Sequence, residues 1–249
     1  MSDVSSLDVK QLVVQYGDHR VLSDIAFSLT GGQYTLLIGE NGAGKSTLLR
    51  CMAGWQRPGG GAVYIEGVAL EHQERQARRW IKLVPDSPQF YTELTMWEHV
   101  AWVAQAHKMT HWESQAEELI KTFGIGSNRA AYPGSFSRGM QYKLALVMAL
   151  ICQPAILLLD EPFGPLDPYS QEYLAHILRQ RVNNGMLVLA SSHLLPETDP
   201  PDRVMVLDEG ALAADLSWDE IMTRYPNASP VLLPSRILRD VVSVRRSVE

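Results

Sequence analysis

The chain has 249 residues, 46% of them hydrophobic and 20% charged, which suits one large α/β domain or a domain with a subdomain. Its net charge of −6 leaves no basic footprint for nucleic acid or an anionic membrane, so membrane contact is expected only through a protein partner. Residues 1–6 lack a basic stretch followed by an apolar one and the longest apolar run, 144–152, is far too short to span a bilayer. A cytoplasmic chain without direct membrane insertion is expected, with Cys51 and Cys152 as buried, inert thiols.

In chain order, residues 7–14 and 21–29 read as strands joined by a turn at Gly17-Asp18. Tyr16 ends the first, where its ring is either a strand-edge aromatic with a solvated hydroxyl or a platform for a nucleotide base. The apolar run 34–38 predicts a buried strand. It leads into Gly39-Glu40-Asn41-Gly42-Ala43-Gly44-Lys45-Ser46-Thr47. Here Gly39, Gly44, Lys45 and Ser46 fit G-x-x-x-x-G-K-[ST], a loop whose backbone N–H groups converge on phosphate oxygens while lysine supplies charge and serine a Mg²⁺ ligand. The helix opening near Lys45 directs its positive end at the same place, and Gly54 suits its C-terminal cap.

A short strand through Val63 and Ile65, a turn at Gly67, a helix over about 71–80 and a strand over 81–84 follow. From 90 to 150 strand signals give way to helical spacing, as in 95–107 and 112–123, which predicts a helical insertion. Trp80, Trp97, Trp102 and Trp112 fall in or just before it and read either as core or as a protein-binding face. His99, His107 and His111 read as solvated or satisfied histidines.

Ser137 precedes a long apolar helix, so it is either an N-cap or part of an anion site with Gly139. The run 155–159 predicts a parallel-type strand ending in Asp160 and Glu161. Alternating side-chain direction lets Asp160 face a metal while Glu161 is aimed toward an attacking water. Pro165-Leu166-Asp167 leads into a helix over 168–183; a strand over 186–190 ends at Ser191-Ser192-His193; a hairpin spans 203–215; and a tail with one helix closes the chain.

In this order the segments resemble the nucleotide-binding subunit of an ABC transporter over residues 7 to about 216. The resemblance implies a P-loop NTPase core of α/β class with a mixed or parallel sheet over about 7–88 and 153–216. An N-terminal antiparallel β-subdomain, a helical subdomain over about 89–152 and a helical tail over 217–249 complete it. Tyr16 matches the adenine-stacking aromatic; 39–47, with Asn41, Gly42, Ala43 and Thr47, the Walker A loop; and Ser137, Arg138, Gly139 and Met140 lie in the signature. Asp160 and Glu161 match the Walker B end, Asp167 the D-loop and His193 the switch histidine. The chain departs from the family pattern in two places: Asp86 stands where Gln is usual, and the signature reads Phe-Ser-Arg-Gly-Met-Gln, close to the Tyr-Ser-Lys-Gly-Met wording of an export branch.

The resemblance implies hydrolysis of ATP between two subunits, a homodimer or heterodimer. Lys45, Ser46, Asp160 and Mg²⁺ would hold and neutralise the β and γ phosphates, with Glu161 and His193 ordering the water and the leaving phosphoryl. It also implies a separate integral membrane permease, with the chain peripheral on the cytoplasmic face. The alternatives are a soluble assembly scaffold of the iron-sulfur type and a regulatory module of low turnover.

Overall fold

A computed structural model describes residues 6–193, 198–226, 229 and 232–246. The N-terminal stretch read for a signal and the last three residues of the tail therefore lie outside the described residues, Ser6 apart.

The first strand, β1 (Ser6–Tyr16), buries Leu7 and Val9 and then, out of phase, Leu12 and Val14. A bulge explains the slip: the pairing to β2 (His19–Thr30) shifts between Val9 and Leu12, and Gln11 adopts a left-handed φ of 48°. With β4 (Gly60–Ile65) and β5 (Val68–Ala69) these strands form an antiparallel sheet in the order β2-β1-β4-β5.

The second sheet carries the chemistry. Its order is β10-β9-β3-β8-β7-β6, from β3 (Tyr34–Ile38), β6 (Ile81–Val84), β7 (Ile156–Asp160), β8 (Leu187–Ser191), β9 (Arg203–Asp208) and β10 (Ala211–Ser217). All neighbours pair in parallel except β10, which runs antiparallel to β9. Both faces are covered, which is why β3, β7 and β8 read as continuous apolar runs. Leu36, Leu157 and Leu159 enter the larger core with the helical segment, while Leu37, Leu158 and Leu189 join the core beneath the antiparallel sheet.

Helix α1 (Lys45–Met52) follows β3, and Gly54, at φ 70°, lies just past its cap. The expected helix over 71–80 is split, with a 3₁₀ turn at Leu70–His72 before α2 (Glu74–Trp80). Between β6 and β7 lie α3 (Met96–Ala106), α4 (Glu113–Thr122) and α5 (Arg138–Ile151). A capping box between Thr95 and Glu98 starts α3. His99 is buried and satisfied: Nε2 accepts from the Tyr91 N–H at 3.0 Å and Nδ1 lies 2.8 Å from the Thr95 carbonyl. Trp97 and Trp112 pack together at 5.2 Å with the Arg129 guanidinium over Trp97, whereas Trp102 stays half exposed against Tyr91.

Helix α6 (Pro168–Asn183) precedes β8. The tail holds two helices where one was expected: α7 (Trp218–Arg224), opened by a Ser217–Glu220 capping box, and α8 (Leu233–Arg246). The α7 helix is a seven-residue element whose start rests on that cap rather than on apolar spacing. Burial pushes both thiols up to about 11, although Cys152 is only partly buried.

Candidate functional site

Strands β3, β8 and β7 are neighbours, and their C-terminal ends open on one side of the sheet, where ligands bind in parallel α/β folds. Three strand-end features meet there: the loop 39–44, the Asp160-Glu161 pair and Ser191, which stands opposite Asp160 in register. A cavity of about 400 Å³ is lined by Glu40, Asn41, Gly42, Gly44, Lys45, Ser46 and Thr47, and by Asp86, Asp160 and Glu161.

Gly44 fixes the entry of the loop into α1. Its φ is 105°, and an added Cβ would lie 2.7 Å from Leu22 Cδ2, so a side chain there is excluded twice. Lys45 is buried, and its ammonium donates to the carbonyls of Gly39 at 2.8 Å and Glu40 at 3.3 Å. Its charge is thereby aimed back over the loop, 3.7 Å from Glu161 Oε1.

Asp160 is buried at 4% exposure, and its Oδ1 accepts from the Ser191 hydroxyl at 2.7 Å. The Tyr142 hydroxyl, its own pKa driven well up by burial and then by Asp160, donates to the Asp160 carbonyl. Glu161 leaves the strand with a left-handed φ of 50°, a conformation costing an L-residue about 1–2 kcal/mol. Ser191 holds it there, taking the Glu161 N–H on both its carbonyl and its hydroxyl at 3.1 Å. His193 Nδ1 then reaches Glu161 Oε2 at 2.8 Å.

Ser191 is the residue that sequence reasoning passed over. The available signal is a polar side chain closing the apolar run 186–190 beside the Asp160 strand.

The other expected site residues, Asp86 apart, lie outside this cavity. Tyr16 does not line the cavity; its ring is half exposed and its hydroxyl donates to Gln56 Oε1 at 2.6 Å. Gly39 and Ala43 support the loop without lining the cavity. Ser137 caps α5, accepting the Met140 N–H at 3.3 Å, and it, Arg138, Gly139 and Met140 lie outside the cavity of their own chain. Asp167 caps α6 through the Ser170 N–H at 3.0 Å and pairs with Lys143 at 2.5 Å, a contact that holds its carboxyl down at about 2. Asp86 borders the cavity and pairs with Arg138.

The donor set fits a hard divalent cation bound mainly by phosphate and water. The Ser46 hydroxyl and the buried Asp160 carboxylate face one cavity, both oxygen donors, the preference of Mg²⁺.

The family model described as ABC transporter matches residues 22–164, from β2 through the Glu161 turn. The chain belongs to the ABC transporter family. It is 31% identical over 225 residues to the ABC-type transporter ATP-binding protein EcsA of Bacillus subtilis, covering 89% of this chain and 91% of that one. It is 29% identical over 238 residues to the aliphatic sulfonates import ATP-binding protein SsuB of Yersinia pestis bv. Antiqua, covering 94% and 85%. A solved structure of the ATP binding subunit of an ABC transporter superimposes with a TM-score of 0.85 at 30% identity, covering 95% of this chain and 99% of that one. This ABC transporter ATP-binding subunit is thus of a family that hydrolyses ATP for transport. Among the described residues no helix is long and apolar enough to cross a membrane.

Proposed function

We propose that this ABC transporter subunit hydrolyses Mg²⁺-bound ATP in the cavity at the β3 and β7 ends and drives a separate membrane permease. One observation carries the reading: Lys45, Ser46, Asp160 and Glu161 line a single cavity with the glycine-rich loop. In that reading the N–H groups of 42–47 and the Lys45 ammonium bind the β and γ phosphates, and the α1 dipole adds to their field. Ser46 and Asp160 hold the Mg²⁺, which when bound neutralises phosphate charge. Glu161, oriented by Ser191 and His193, accepts the proton of the attacking water, and Tyr16 stacks on the adenine.

The signature residues Ser137, Arg138, Gly139 and Met140, with Asp167, serve the nucleotide of a second subunit. Their position outside their own chain's cavity supports a nucleotide sandwich of two subunits, identical or different. The domain limits we assign are a core over about 7–88 and 153–216, a helical subdomain over about 89–152 and a tail over 217–249.

For the permease we assign a groove of about 730 Å³ between α1, β6, α3 and α5. Trp55, Phe90, Val103 and Met148 give it an apolar floor, and Arg50 lies at its wall. The segment 85–90 supports the assignment, since Asp86 borders the nucleotide cavity while Pro85, Ser87, Pro88, Gln89 and Phe90 line the groove. Export is the direction favoured by the Ser-Arg-Gly-Met wording. Affinity purification from native membranes tests the reading: an integral membrane protein recovered in proportion to the chain supports it, and a soluble partner alone overturns it in favour of a scaffold.

A further inference from the structure

Asp86 and Arg138, one from each place where the chain departs from the family's wording, touch each other. Arg138 Nη2 donates to Asp86 Oδ1 at 2.5 Å, across 52 residues of sequence, joining the segment after β6 to the first turn of α5. The contact is not isolated. One turn further along α5, Lys143 holds Asp167 at 2.5 Å. Between them, Gly139 lies so close to the next loop that an added Cβ would meet the Pro165 carbonyl oxygen at 2.7 Å. The start of α5 is therefore fixed on two sides, to the Asp86 segment by Arg138 and to the Pro165–Asp167 loop by close packing and Lys143. Ser137 keeps its hydroxyl on the Met140 N–H, so the loop's orientation is set by its neighbours and not by its own side chain alone.

We propose that Asp86 is a positioning residue that acts through Arg138, holding the capped first turn of α5, residues 137–140, at the angle needed to meet the second subunit's nucleotide. Asp86 then contributes to the closing of the partner's site and not only to its own. The proposal rests on the two-subunit reading of the signature loop. A solvent-exposed ion pair of this kind contributes little to global stability, so its role is read in turnover and in local exchange at the start of α5 and not in global unfolding.

The test is a double-mutant cycle with Asp86→Asn, Arg138→Met and both together, with Arg138→Lys as the conservative variant. Each single change is expected to lower kcat about three- to fivefold with KM for ATP within twofold, because misorientation of a catalytic element costs turnover before ground-state binding. The double variant is expected to be no slower than the slower single, and Arg138→Lys to keep at least half of the kcat. Amide exchange over 138–141 is expected to speed up severalfold in Asp86→Asn, as in Arg138→Met. Multiplying kcat effects, or exchange over 138–141 that Asp86→Asn leaves unmoved, would overturn the proposal. A wild-type chain without ATPase activity would instead sink the catalytic reading, and the exchange measurement still decides the contact.

Discussion

Glu161 is held between an imidazole and an ammonium: His193 Nδ1 lies 2.8 Å from its Oε2, and Lys45 Nζ lies 3.7 Å from its Oε1. One carboxylate thus connects the end of β8 to the phosphate loop. Its left-handed backbone is the strained joint that makes the connection possible, since it turns the side chain away from Asp160 and across the cavity.

Replacing His193 with Ala removes the group that orients Glu161. Turnover is expected to fall by about 100-fold, with ATP affinity changed little, because the imidazole touches the carboxylate and not the loop. Steady-state kinetics beside equilibrium binding of a fluorescent ATP analogue separate the two effects. Loss of binding together with turnover would place His193 elsewhere in the mechanism.

Ser191→Ala deletes a fully buried hydroxyl that serves both Asp160 and the Glu161 N–H. The Glu161 N–H keeps the Ser191 carbonyl, but the Asp160 carboxylate oxygen left without its donor is expected to cost about 1–3 kcal/mol in chemical denaturation. The Mg²⁺ concentration needed for half-maximal turnover is expected to rise, since Asp160 loses the partner that sets its orientation. An unchanged Mg²⁺ requirement would argue that Asp160 is not a metal ligand.

Acid stability reports on the start of α6. The Lys143 ammonium, with the Ser170 groups, holds Asp167 at about 2 against an ordinary 3.8. A depressed carboxyl stabilises the fold above its ordinary value, and that contribution is lost as pH falls from about 4 to about 2. Because Asp167 is half exposed, the gain is expected to stay under about 1 kcal/mol. Lys143→Met should flatten the dependence of unfolding free energy on pH across that window, and a parallel curve would refute the pairing in solution.

Val103→Asp puts a charge on the apolar floor of the groove. Recovery of the membrane partner in affinity purification is expected to drop at least tenfold, a loss consistent with an unpaired charge in a buried interface. Undiminished recovery would move the docking surface elsewhere.

The chemistry of the central sheet was legible because β3, β7 and β8 are buried on both faces, so each shows as an apolar run broken at its end, by Gly39 and Asp160 for the first two; Ser191 ends β8 in the same way, but its role shows only once β8 is paired with β7. Capping made α5 legible too, through Ser137, whereas the Asp167 cap of α6 shows only in the structure. The bulge at Gln11 was not, since nothing in the alternation of β1 says where the phase slips until β2 and β4 are paired with it. The second tail helix was missed for a different reason: α7 is short, and its evidence is the Ser217–Glu220 box rather than a period. Contacts such as Asp86 with Arg138, or Tyr16 with Gln56, depend on tertiary closure and leave no local trace.

Glu161→Gln is the sharpest test of the catalytic assignment, because it keeps the shape of the side chain and removes the base. ATP turnover is expected to drop by about 100-fold or more, while ATP still binds through Lys45 and the loop 39–47. Turnover equal to that of the wild-type chain would show that hydrolysis does not run through Glu161, and the proposed mechanism would fail.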